Sequence, residues 1–65
     1  MKIRYQGNET QTDAANVAEF LSSQGVKPTE AVVELDGEIV AADAVAATPL
    51  REGAEVNVFR IVAGG

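Results

Sequence analysis

Alternation of apolar and polar side chains predicts a strand at the beginning of the chain. Residues 1–5 read apolar, polar, apolar, polar, apolar, which is typical of a strand with one buried face. The pair Gly7-Asn8 tolerates the positive φ angles of a tight hairpin turn, so the polar residues 9–12 are expected to return as a second strand. That second strand has little to bury, and we expect it at an edge of the sheet.

A short helix is predicted between Asn16 and Gly25. Asn16 and Glu19 form a capping-box pattern, in which the Asn16 side chain accepts from the N–H of Glu19 and Glu19 reaches back to the N–H of Asn16. The helix carries one apolar stripe at helical spacing, which consists of Val17, Phe20 and Leu21. Gly25 suits the left-handed conformation that ends many helices, and Pro28 prevents any continuation.

The middle of the chain predicts a hairpin followed by a loop. Residues 31–35 read as a strand, and Asp36-Gly37 is a strong signal for a two-residue turn. A very short strand over residues 38–40 follows it. Residues 41–50 are rich in Ala, and we predict a loop there with a short helical turn.

The last strand is the most apolar, and its periodicity indicates which side chains face outward. Val56 and Val58 are the natural core pair, so Phe59 is predicted to point away from the helix. A shift of one residue would instead bury Phe59 and Ile61. We predict the outward orientation, which makes Phe59, Ile61 and the outward-facing Glu34 candidates for partner binding.

These elements predict an α+β fold of the β-grasp (ubiquitin-like) type. Residues 55–62 form the last strand, and a crossover through one main helix places it parallel to the first strand. The result is a mixed sheet of four to five strands packed on that helix. The β-grasp domain is predicted to span residues 1–62, and residues 63–65 are predicted to form a flexible C-terminal diglycine tail.

Composition and charge narrow the classes of partner. The 65 residues suffice for one small domain, and the absence of Cys fits a reducing compartment, so we expect a cytoplasmic monomer. A net charge of −5 repels phosphate backbones and anionic membrane surfaces, which disfavours nucleic acid and membrane partners and favours a basic one. No stretch approaches the roughly 20 apolar residues of a membrane span.

The chain lacks the side chains that most enzymes use. It has no His and no Cys, and its only serines, Ser22 and Ser23, lie in a polar helix end, so we expect no enzymatic activity, no metal site and no bound cofactor. The remaining reactive group is the main-chain carboxylate after Ala63-Gly64-Gly65. Glycines without side chains could thread a narrow channel into a partner's active site. The alternative interpretation is a frayed chain end.

Several segments, in their order along the whole chain, resemble the ThiS-type sulfur carriers of thiamine biosynthesis. They are the first hairpin, the helix, residues 33–40, residues 46–50, and the ending over residues 58–65. The chain is similar, less closely, to the small subunit of molybdopterin synthase, whose members tend to be longer and to place prolines before the final Ala-Gly-Gly.

The resemblance implies a function and a set of partners. An adenylyltransferase of the ubiquitin-activating type, using ATP, would join Gly65 to AMP. Sulfur from the persulfide of a cysteine desulfurase would displace AMP and leave a thiocarboxylate, which a thiazole synthase would use. Other sulfur acceptors, such as molybdopterin or cysteine pathways, stay open. So do a ubiquitin-like modifier joined to lysines through Gly65 and a plain interaction module.

Overall fold

Five strands and one α-helix form the domain, and a computed structural model describes residues 1–61 of it. The elements are β1 (Lys2–Tyr5), β2 (Asn8–Gln11), α1 (Val17–Ser23), β3 (Ala31–Leu35), β4 (Glu38–Val40) and β5 (Glu55–Arg60). Two 3₁₀ segments, Pro28–Glu30 and Ala42–Ala47, lie in the connections. Val62 and the predicted tail over residues 63–65 lie outside the described residues.

The strands form one mixed sheet in the order β2-β1-β5-β3-β4. β1 runs parallel to β5, while β2 pairs antiparallel with β1, and β3 pairs antiparallel with both β4 and β5. The polar strand β2 lies at one edge, as predicted. The parallel pairing of the first and last strands confirms the predicted β-grasp arrangement.

Both hairpin turns contain two residues with positive φ, the geometry that matches the twist of the flanking strands. The predicted turn at Asp36-Gly37 is confirmed, with φ angles of 52° and 87°. The predicted turn at Gly7-Asn8 is wrong by one residue, because Tyr5 pairs with Asn8 and the turn is Gln6-Gly7. Asn8 therefore begins β2 instead of occupying the turn.

The start of α1 has the predicted side-chain cap. Asn16 Oδ1 accepts a hydrogen bond from the N–H of Glu19 at 2.9 Å. The Glu19 carboxylate reaches back as expected, but it accepts from the N–H of Ala15 at 2.9 Å and not from that of Asn16. Two otherwise unsatisfied N–H groups at the helix start are still paired, which is the purpose of the motif.

The end of α1 is a Schellman motif. Gly25 has a φ of 71°, and its N–H donates to the carbonyl of Ser22 at 3.1 Å. The N–H of Val26 donates to the carbonyl of Leu21 at 2.9 Å, and both of these side chains are buried. The left-handed Gly25 therefore ends the helix and returns the chain to the core at Val26.

One core lies between the sheet and the helix. Its largest fully buried side chains are Phe20, Ile3, Leu21, Val17, Val33 and Val56. The ring of Tyr5 meets that of Phe20 edge to face, with centroids 4.9 Å apart. The helix stripe predicted from the sequence is thus the part of α1 that packs on β1, β3 and β5.

Residues 41–50 close the open end of the core next to the helix start. The prediction of a loop with a helical turn is confirmed by the 3₁₀ segment Ala42–Ala47, which buries Val45. The carbonyl of Thr48 accepts from the N–H of Val17 at 2.9 Å, and this bond ties the loop to α1. A second bond, from the N–H of Leu50 to the carbonyl of Ala15 at 3.1 Å, holds the end of this irregular connection next to the helix start.

A matched pair of isoleucine substitutions tests the assignment of the two sheet faces. Ile3 is 1% exposed, so Ile3→Val should lower the free energy of unfolding by about 1 kcal/mol through loss of a buried methyl group. Ile39 is 71% exposed, and Ile39→Val should change the free energy of unfolding by less than about 0.5 kcal/mol. Urea unfolding of the two variants provides the comparison, and equal losses would contradict the assignment.

Candidate functional site

The face of the sheet opposite α1 carries exposed apolar side chains. Ile39, Phe59 and Ile61 are 71%, 54% and 59% exposed, and they are the large apolar residues most open to solvent in residues 1–61. Soluble domains scatter single apolar residues over the surface, but a cluster on one face indicates an interaction site. The strand register decides whether these three form a cluster.

The register of β5 turns Phe59 outward. Val56 is fully buried and Val58 is 7% exposed, so alternation places Phe59 on the opposite face. This confirms the orientation predicted from the sequence. Ile61 follows β5 on the same side by alternation, and its N–H donates to the carbonyl of Glu30 at 3.2 Å, which continues the pairing with the chain beside it.

β3 and β4 bring further side chains to the same face. Phe59 pairs with the half-buried Val32, and Glu34 pairs with Asn57 on one side and with Ile39 on the other. An apolar surface thus crosses three neighbouring strands, with a carboxylate at one margin. We name it the outer patch, and it consists of Val32, Glu34, Ile39, Phe59 and Ile61.

Ile39, like Val32, belongs to the outer patch but is not among the partner-binding residues that the sequence predicts. The signal was present in the two-residue turn, which pairs Leu35 with Glu38 and therefore Glu34 with Ile39. Residues directly opposite in an antiparallel pair share a face. An outward Glu34 therefore requires an outward Ile39.

Glu34 is half-buried at the margin of the outer patch. Within residues 1–61, the recorded ion pair joins Lys2 Nζ to Glu9 Oε2 at 3.2 Å between two largely exposed side chains, and Glu34 has no part in it. The nearest residues across the strands are Asn57 and Ile39, which carry no charge. The register thus places no charged residue directly opposite Glu34 on either neighbouring strand.

Residues 1–61 were compared with the features that mark a metal site, a membrane span or a reactive cleft. Residues 1–61 contain no group of three or more His, Cys, Asp or Glu side chains placed to hold a metal ion, and no helix long and apolar enough to cross a membrane. A shallow cleft of about 200 Å³ lies away from the outer patch and is lined by Leu35, Asp36, Thr48, Pro49, Arg51 and Ala54. These side chains form no pair of nucleophile and base.

Three of the predicted site residues, Ala63, Gly64 and Gly65, lie outside the described residues. In the sequence they come directly after the strand that carries Phe59, and Gly65 is four positions beyond Ile61. The structure places Phe59, Ile61 and Glu34, the predicted partner-binding residues, on one face of the sheet, and Phe59 and Ile61 come shortly before the predicted tail in the sequence.

The sequence model of the ThiS family matches residues 3–65. The chain belongs to the ThiS family. The members of this family are sulfur carriers in thiamine biosynthesis and are not themselves enzymes. Membership of the ThiS family implies partner enzymes in that pathway.

Two solved structures give the same result for the fold. The crystal structure of the thiamine biosynthesis protein ThiS from Geobacter metallireducens superimposes with a TM-score of 0.83 at 32% sequence identity, over the whole of both chains. A solution structure of a thiamine biosynthesis protein from the same organism gives a TM-score of 0.78 at 33% identity, over all of this chain and 88% of the other. A search of curated proteins found no match.

The two phenylalanines should differ sharply in their effect on stability. Phe20 is 1% exposed, so Phe20→Ala should cost about 3–5 kcal/mol of unfolding free energy. Phe59 is 54% exposed, and Phe59→Ala should cost on the order of 1 kcal/mol or less. Thermal unfolding followed by circular dichroism provides the comparison. A loss of unfolding free energy for Phe59→Ala as large as that for Phe20→Ala would mean that Phe59 belongs to the core.

Proposed function

We propose that the carboxylate of Gly65 carries sulfur as a thiocarboxylate and donates it for thiazole formation in thiamine biosynthesis. The observation that carries this proposal is the match to the ThiS family, which extends through Gly64 and Gly65. Phe59 of the outer patch lies on the strand that leads to these residues. A docking surface next to the reacting terminus is the arrangement that a carrier needs.

The chemistry requires activation, because a carboxylate is a poor electrophile. In the proposed scheme an adenylyltransferase of the ubiquitin-activating type binds ATP. The Gly65 carboxylate attacks the α-phosphorus of ATP, and pyrophosphate leaves. The persulfide of a cysteine desulfurase then attacks the acyl carbon and AMP leaves. A second thiol cleaves the resulting S–S bond, which releases the Gly65 thiocarboxylate and forms a disulfide on the donor side.

The composition of the chain is consistent with this division of labour. The sequence has no Cys and no His, so it offers no thiol to hold sulfur and no imidazole to move protons. The sulfur is therefore proposed to sit on the main chain, and each catalytic group belongs to a partner. The partners proposed are the adenylyltransferase, the cysteine desulfurase and the thiazole synthase.

The outer patch is proposed to dock on the adenylyltransferase. Phe59 and Ile61 are aromatic and aliphatic side chains of the kind that anchor interfaces. Glu34 and the net charge of −5 favour a partner surface that is apolar in the middle and positively charged at one side. Covalent geometry limits Gly65 to at most roughly 14 Å from Ile61. The docking surface of the partner must therefore lie close to its nucleotide site.

Mass spectrometry can test the sulfur-carrying step directly. The chain is incubated with the adenylyltransferase of its host, ATP and a persulfide donor, and its intact mass should rise by the difference between sulfur and oxygen. Addition of the thiazole synthase with its substrates should restore the original mass. A variant that lacks Gly65 serves as the control and should not change. An unchanged mass for the intact chain, with an enzyme shown to be active, would refute the proposal.

Binding measurements can test the docking surface separately. Phe59→Ala should weaken association with the adenylyltransferase by about 1 kcal/mol or more, as expected for an interface anchor. Glu34→Gln should weaken it less, and its effect should shrink as salt is added because a charge pair is screened.

Isothermal titration calorimetry measures both variants against a matched control. Ser22 lies on the exposed side of α1, away from the outer patch. The variant Ser22→Ala should therefore bind as the unmodified chain does. Wild-type affinity for Phe59→Ala, or equal losses for Phe59→Ala and Ser22→Ala, would place the docking surface elsewhere.

A further inference from the structure

β5 has unequal neighbours on its two sides. β3 runs beside it from Val56 to Arg60, but β1 pairs with it only as far as Val56. The reason is the turn that begins at Gln6, where the chain leaves β1, turns away from β5 and enters β2. The backbone of Val58 thus has no strand beside it on the β1 side, and its N–H and carbonyl need other partners.

The side chain of Gln6 supplies both of these partners. Its Nε2 donates to the carbonyl of Val58 at 2.8 Å, and its Oε1 accepts from the N–H of Val58 at 2.9 Å. The backbone N–H of Gln6 already donates to the carbonyl of Val56 at 3.0 Å. The amide side chain therefore continues the ladder along β5 by one step after β1 has turned away.

The backbone of Gln6 makes this arrangement more significant. Its φ is 52°, a left-handed conformation that Asn, Asp and Gly adopt much more readily than Gln. At the equivalent position of the other hairpin turn, Asp36 also has a φ of 52°, and its Oδ1 accepts from the N–H of Glu55 at 2.9 Å. The first residue of each turn thus binds β5 through its side chain, and Gln6 does so next to Phe59.

We propose that Gln6 is a positioning residue for the carrier function. Its amide holds the second half of β5 in the plane of the sheet, and this half presents Phe59 to the partner and leads to the reacting terminus. Loss of the amide leaves the half-strand held from the β3 side alone, so each docking event must order it again. This role rests on the proposed function, because it concerns how the activating enzyme recognises the chain.

The two hydrogen bonds to Val58 require both the amide group of Gln6 and the length of its side chain. Asn has the same amide and suits a positive φ better, but it is one methylene shorter and cannot span the same distance to Val58. Glu has the right length but offers only acceptors, so its carboxylate would face the carbonyl of Val58. A residue needed only for the turn would tolerate Gln6→Asn, whereas a residue that holds Val58 would not.

Gln6→Asn is therefore the decisive variant, and Gln6→Glu is a second variant for comparison. Amide hydrogen exchange should show faster exchange at Val58 by at least about tenfold in Gln6→Asn, while amides in the centre of β1 stay protected. Pyrophosphate release with the adenylyltransferase and ATP should show that the KM for the chain rises by roughly fivefold or more. The kcat should change little, because the second half of β5 is ordered once the chain is bound. Gln6→Glu, which retains the bond to the N–H, should lie between Gln6→Asn and the unmodified chain.

The outcomes separate this inference from the function on which it rests. An unmodified chain that is activated normally, with the same KM for Gln6→Asn, overturns the positioning role and leaves the carrier function intact. Faster exchange at Val58 with an unchanged KM also overturns it, since the contact is then structural only. Failure of the unmodified chain to be activated overturns both proposals. It is the only outcome that affects the proposed carrier function.

Discussion

The strict alternation of side chains along β5 is the constraint on which the rest of the structure depends. β5 lies in the middle of the sheet, between β1 and β3, so its two faces serve different purposes. Val56 and Val58 contribute to the core against α1, while Phe59 points to the other side. One strand thus couples the stability of the domain to the exposure of the outer patch, and a slip of one residue would exchange the two faces.

The sequence predicts the architecture well because its strongest signals are local. The cap at Asn16, the left-handed Gly25 and the turn at Asp36-Gly37 each depend on a few adjacent residues, and each is present where expected. The orientation of Phe59 also follows from a local period of two. The outward position of Ile39 depends in addition on its pairing with Glu34 across the turn, which the period of two within one strand does not show.

The features that could not be predicted depend on contacts between distant parts of the chain. Gly7-Asn8 is a better turn sequence than Gln6-Gly7 by local rules, so these rules predict the turn one residue too late. The local rule fails because the Gln6 side chain bonds to Val58, 52 positions away. The Glu19 carboxylate is a different case, because its bond to the N–H of Ala15 spans only four positions and is a local variation on the standard capping box. At Gln6 a tertiary contact outweighs the local turn propensity.

The parallel pairing of β1 with β5 also has a consequence for how the protein is made. The first strand to be synthesised must wait for the last one, and before β5 is available the chain contains two separate hairpins, which are marginally stable at best in water. The strand that completes the fold is the same strand that carries Phe59. The outer patch is therefore assembled only after β5, the last strand of the described residues, has joined the sheet.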